Sequence, residues 1–148
     1  MQIPNEALVL VADGRKMLFL RNKGDGALVD LRVESHREQE NPAIRDQATD
    51  APGRSISSVG SARSSMEPTD FHQLQEDRFA AEAAELLRKR ALSNDFEQLI
   101  IVAPPRTLGE LRKHYHKTVE ARLIAEIDKD LTGMTIPTIE QNIIARQI

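Results

Sequence analysis

The 148-residue chain has no cysteine, no tryptophan and a single tyrosine, and aromatic residues make up only 3% of it. Without cysteine there is no disulfide framework, no thiol nucleophile and no Cys-ligated zinc or iron–sulfur site. So few aromatics disfavour recognition of bases by stacking. Neither sign of charge dominates. Twenty Lys and Arg stand against 23 Asp and Glu, a formal net charge of -3, which argues against strong nonspecific binding to nucleic acid. Long apolar runs are also missing. Ala7 to Ala12 stops at Asp13-Gly14, and Met1 to Glu6 carries no basic residue. A signal peptide needs a basic start and a longer apolar stretch, and a membrane span needs ~20 apolar residues. The expectation is a soluble cytoplasmic protein with no membrane partner.

What is present suits one compact domain over residues 1–148, for which burial of ~70% of the unfolded surface is typical. Ala7-Leu8-Val9-Leu10-Val11-Ala12 reads as a strand covered on both faces. Asp13-Gly14 is suited to the positive φ of a tight hairpin turn, and Lys16 to Lys23 supplies a second strand. Lys23-Gly24-Asp25-Gly26 marks another turn. Beyond it Val29, Leu31 and Val33 alternate with Asp30, Arg32 and Glu34, the period of a strand with one wet face. Three strands on short turns predict an antiparallel meander.

From His36 to Thr69 no period persists. The stretch carries six serines, Pro42, Pro52 and Pro68, and only Ile44, Ile56, Val59 and Met66 as large apolar residues. A long irregular loop is expected, of the kind that is often functional or mobile. A helix is predicted over Asp70 to Leu92, capped by Asp70 with Gln73 as reciprocal partner, and with Phe79, Ala83, Leu86 and Leu87 on its buried stripe. Arg88-Lys89-Arg90 in its last turn complements the helix dipole. Leu99 to Ala103 is another apolar run of strand length. Thr107 to Glu110 has the pattern of a capping box opening a short helix. Val119 to Ile127 fits both a period of two and a helical one; the strand alternative is taken for Ala121 to Ile127. A last helix starts near Pro137, with Ile139, Ile143 and Ile144 on one side. The order is a β-β-β meander, a loop, then α-β-α-β-α. It predicts an α/β fold: a five-stranded mixed sheet with flanking helices.

Chemistry-bearing patterns are sparse. There is no glycine-rich phosphate loop and no Gly-x-Ser-x-Gly elbow. His114 and His116 lack a third ligand nearby, so a helix C-terminal role is favoured over a metal site. Asp13 ends the first strand in a ribonuclease H-like order, and Glu82 or Glu85 could supply a second acid for a metal-dependent nuclease. An Asp-Gly turn accounts for the same residues more simply. Glu126, Asp128 and Asp130 alternate and would share one face of a strand; a solvated strand end explains them without chemistry. No catalytic residue, metal ligand or cofactor is assigned.

Three blocks nevertheless carry a resemblance. They are Val9-Leu10-Val11-Ala12-Asp13-Gly14, Leu99 to Arg112 with Ala103-Pro104-Pro105-Arg106-Thr107 at its centre, and Ala125-Glu126-Ile127-Asp128-Lys129-Asp130-Leu131-Thr132. They resemble the signature blocks of the bacterial host attachment protein family, with Asp13, Gly14, Pro104, Pro105, Arg106, Asp128 and Asp130 as signature positions. That family is itself similar to the middle domain of archaeal and eukaryotic class-1 peptide-chain release factors. The resemblance implies a mixed sheet with flanking helices and a noncatalytic cytoplasmic protein that supports attachment to host cells through an unknown protein partner. In the release factors, a Gly-Gly-Gln tripeptide on a loop before a long helix promotes peptidyl-tRNA hydrolysis. This sequence has no Gly-Gly-Gln, so release activity is not expected. In the corresponding loop, Arg54, Ser57, Ser58, Gly60, Ser61 and Arg63 are the expected contacts to phosphate or to an acidic partner surface. The alternative that the kinship implies is a translation-linked binder of RNA or the ribosome.

Overall fold

The computed structural model describes residues 1–39 and 68–146. The meander forms as expected: β1 (Leu8–Ala12), β2 (Lys16–Asn22) and β3 (Leu31–Glu38) are joined in antiparallel pairs. Helix α1 (Pro68–Leu92) leads into β4 (Leu99–Val102), which lies parallel to β1. Then come α2 (Pro105–Arg112), α3 (Lys117–Arg122), β5 (Leu123–Ile127), parallel to β4, and α4 (Ile136–Ile144). The sheet is five-stranded and mixed, in the order β3-β2-β1-β4-β5. This is the α/β fold the sequence predicts.

Two apolar layers enclose the sheet. On one face, Leu8, Leu10, Met17, Phe19, Leu99 and Ile101 pack against α1, α2 and α3 through Phe79, Ala83, Leu87, Leu108, Leu111 and Val119. On the other, Val9, Val11, Leu20, Ile100, Val102 and Ile127 meet Ile3, Leu131, Ile139 and Ile143. Strands β1 and β4 are therefore buried on both sides, which is why they read as unbroken apolar runs. Small side chains on α1 (Ala80, Ala83, Ala84, Ala91) are all buried and let the helix backbone lie close to the sheet.

Several local expectations change. β3 runs on through His36, Arg37 and Glu38, which pair with Leu18, Met17 and Lys16, so the irregular stretch begins later than His36. The backbone pairing outlasts the apolar pattern because β3 is an edge strand. After Leu31 all its residues are exposed, Val33 included. A register shift opposite Phe19/Leu20 inserts Glu34, which ends the simple alternation. α1 starts at Pro68, so Asp70 lies within the first turn, where its charge favours the helix dipole, and Gln73 instead donates to Asp77 Oδ1 at 2.7 Å. Thr107 is not a cap. Pro104 occupies that place without a side-chain hydrogen bond, and Pro105 sits in the first turn. Both periods over Val119 to Ile127 are realised in succession, with Ala121 and Arg122 helical and β5 beginning at Leu123. Ile144 is 40% exposed while Ile139 and Ile143 are buried. The Asp13-Gly14 turn needs no positive φ, and among the described residues only Glu6 and Asn94 adopt one outside glycine.

Candidate functional site at the carboxyl edge of the sheet

Register brings the signature positions together. Val11 pairs with Val102, Val102 pairs with Ile127, and the amide of Ala103 donates to the Ile127 carbonyl at 3.0 Å. The residues that follow β1, β4 and β5 consequently emerge at one edge of the sheet. They are Asp13-Gly14, Pro104-Pro105-Arg106 and Asp128 to Asp130. In parallel α/β sheets the carboxyl edge is where ligands are bound. β3 ends at the same edge, where Gln39 N donates to the Arg15 carbonyl and Gln39 Nε2 to the Gln75 carbonyl of α1.

Asp13 organises the turn. Its Oδ1 accepts from the amides of Arg15 and Lys16, both at 2.7 Å. Its Oδ2 accepts from Thr132 Oγ1 at 2.8 Å, which ties the β1–β2 turn to the β5–α4 loop. The same hydroxyl lies 2.9 Å from Asp130 Oδ1, so a single hydroxyl proton is shared between two carboxylates. Gly14 is needed for proximity: a Cβ there would stand 2.6 Å from the Glu76 carboxyl group. Thr132, whose role was not read from the sequence, is the residue that joins two of the signature blocks. The available signal was the Asp130-x-Thr132 spacing of a side-chain-to-backbone turn, realised by Thr132 N donating to Asp130 Oδ1 at 3.3 Å.

The other acids part company. β5 ends at Ile127, so Glu126, Asp128 and Asp130 do not share a strand face. Glu126 accepts from Arg112 Nη2 at 2.8 Å and from Tyr115 Oη at 2.7 Å. Burial raises the Glu126 pKa, but the hydrogen bonds from Arg112 and Tyr115 outweigh it and leave the carboxyl below its ordinary value. The Tyr115 hydroxyl is pushed up, by burial first and then by its bond to that carboxylate. Asp128 is exposed beside Lys129, whose Nζ donates to Asn142 at 3.1 Å, and a cavity of about 250 Å³ opens between this corner and the end of α4. Arg15 and Arg106 are exposed and have no ion-pair partner among the described residues.

Glu82 is paired with Arg37, and Glu85 with Arg88. Among the described residues no group of three or more His, Asp or Glu side chains is arranged to hold a metal ion. His114 lies 3.5 Å from Glu110 at the end of α2. His116 departs from its expected place: it caps the start of α3, its Nδ1 accepting from Thr118 N at 3.1 Å. Arg54, Ser57, Ser58, Gly60, Ser61 and Arg63 lie outside the described residues.

The opposite edge is occupied by an ion network. Arg21, 5% exposed, donates to both carboxylate oxygens of Glu34, to the Asp95 carboxylate at 2.8 Å, and to the carbonyls of Glu6 and Asp95. Its five N–H groups are all engaged. Arg90 adds ion pairs to Glu34 and Asp95 and stacks over the Phe19 ring at 4.8 Å. The basic end of α1 thus closes a structural network as well as complementing the dipole.

The chain as a whole matches a family. The profile of the bacterial archaeo-eukaryotic release factor family 12 matches residues 6–143. The chain belongs to this family. The match spans all five strands and supports the release-factor side of the resemblance; it carries nothing about host attachment. No curated protein matches the chain. Among the described residues no helix is long and apolar enough to cross a membrane.

Proposed function

We propose that this member of release factor family 12 is a translation-linked binding module that contacts ribosomal or transfer RNA and does not catalyse peptide release. The match to the family over residues 6–143 carries the proposal, and the sequence has no Gly-Gly-Gln with which to position a hydrolytic water. The carboxyl edge supports it, since Arg15 and Arg106 stand exposed there, and unpaired guanidinium groups suit phosphate. The modest net charge implies few phosphate contacts and therefore a binding that salt removes readily. An effect on host attachment would follow indirectly, from proteins whose synthesis depends on that contact.

Co-sedimentation with ribosomes at low salt, decreasing as salt rises, is the expected result. Paired replacement of Arg15 and Arg106 by alanine should reduce the bound fraction and flatten the salt dependence. A chain that remains in the free fraction even at low salt overturns the proposal. So does hydrolysis of peptidyl-tRNA above background by the wild-type protein, which would make it an enzyme.

A further inference from the structure

Thr107 is a buried polar residue whose hydroxyl has no hydrogen-bond partner among the described residues. It is 9% exposed and faces a small cavity between α1 and α2. Buried hydroxyls in folded proteins are nearly always hydrogen-bonded, to protein or to ordered water. The cavity volume is about 10 Å³, roughly the minimum that admits one water molecule. Its walls also carry Gln73, Glu76, Asp77, Arg106 and Glu110.

We infer that a single ordered water occupies this cavity and links the two helices at the carboxyl edge. The donors and acceptors on the walls suit it. Asp77 uses Oδ1 to accept from Gln73 and retains Oδ2, and Glu76 adds a second carboxylate. The Thr107 hydroxyl, which both donates and accepts, completes a site with both kinds of partner. An anion does not fit. The start of α2 has no side-chain cap, but Glu76, Asp77 and Glu110 line the same space and oppose negative charge. A neutral molecule that both donates and accepts answers all of these groups at once. The water explains why a threonine follows Pro104-Pro105-Arg106 where no capping role exists for it: it pins α2, and with it the corner that presents Arg106, against α1.

The test combines crystallography with two substitutions in the full chain. A crystal structure at high resolution should place a water within hydrogen-bond distance of Thr107 Oγ1. Thr107→Val keeps the shape and removes the hydroxyl, and should lower the denaturant midpoint. Thr107→Ser keeps the hydroxyl and should retain the water. A Thr107→Val midpoint equal to or above that of wild type overturns the inference, as does absence of the solvent peak. Rubidium soaked into wild-type crystals provides the remaining arm. An anomalous peak at this position would mean a cation site and would also overturn it; no peak there, with the water retained, is the expected outcome. If Thr107→Val fails to fold, the wild-type and Thr107→Ser crystals still decide the matter.

Discussion

Two buried polar residues on neighbouring positions of β2 show how much a single side chain can hold. Asn22 is fully buried and uses both ends of its amide. Nδ2 donates to the carbonyls of Ile3 and Pro4, while Oδ1 accepts from the amides of Gly24 and Asp30, both at 3.0 Å. It fastens the N-terminal segment and the β2–β3 turn to one point. Replacement of Asn22 by alanine leaves several buried backbone groups without partners and should cost about 3 kcal/mol, measured by chemical denaturation. Gly24 belongs to the same turn. A Cβ on it would lie 1.9 Å from the Leu28 carbonyl oxygen, a backbone atom that cannot step aside cheaply. Gly24→Ala should therefore lose more than about 1 kcal/mol despite the ordinary φ at that position. For Arg21 the expected loss on truncation to alanine is about 2–3 kcal/mol. Glu34 and Asp95 keep Arg90 as a partner and are themselves partly exposed, which limits the damage.

At the scale of elements, the strands β1 and β4 are buried at every position. Ile101 is fully buried on β4 between its neighbours β1 and β5, and Ile101→Ala should cost about 3–4 kcal/mol by the loss of transfer energy plus a cavity. The carboxyl-edge loops are held more lightly. Thr132→Val removes the only hydrogen bond, among the described residues, between the β1–β2 turn and the β5–α4 loop, and should cost about 1.5 kcal/mol. Hydrogen exchange would distinguish the two cases. Thr132→Val should speed exchange at Arg15 and Lys16, whose amides depend on the position of Asp13, and leave β4 protected.

For the whole molecule, the charge networks predict an acid limit to stability. Glu34 and Glu126 are each pushed up by burial and pulled down further by their hydrogen bonds to arginine, ending below the ordinary value of 4.5. A carboxyl group whose pKa is depressed by folding stabilises the folded state above its unfolded pKa, and that contribution disappears as pH falls through the folded pKa. Denaturant midpoints should be level near neutrality and begin to fall below about pH 4.5. With Glu34→Gln and Glu126→Gln combined, the decline should be shallower. The two networks lie in different places, one joining β2, β3 and the end of α1, the other joining α2 to β5, so their effects should add.

The architecture was legible in the sequence wherever burial imposes a period. Ala7 to Ala12 and Leu99 to Ala103 announce doubly covered strands because every position must be apolar, and the stripe of Phe79, Ala83 and Leu87 announces the buried face of α1. Element ends were less legible. His36 to Glu38 are polar on both faces yet remain in β3, since backbone pairing to β2 sustains an edge strand without apolar side chains. Ala121 and Arg122 complete a turn of helix because Arg122 reaches the Phe96 carbonyl and the Asn94 side chain, partners distant in sequence. The signature blocks could be recognised as patterns, and with them the kinship to release factors. Their meeting at one edge, the tie from Thr132 to Asp13 and the unpaired hydroxyl of Thr107 depend on strand register and helix packing. Local sequence therefore determined which segments are strands and helices and what chemistry is missing. Only the tertiary structure decided which polar groups meet, because those contacts join residues far apart in the chain, 119 positions apart for Asp13 and Thr132.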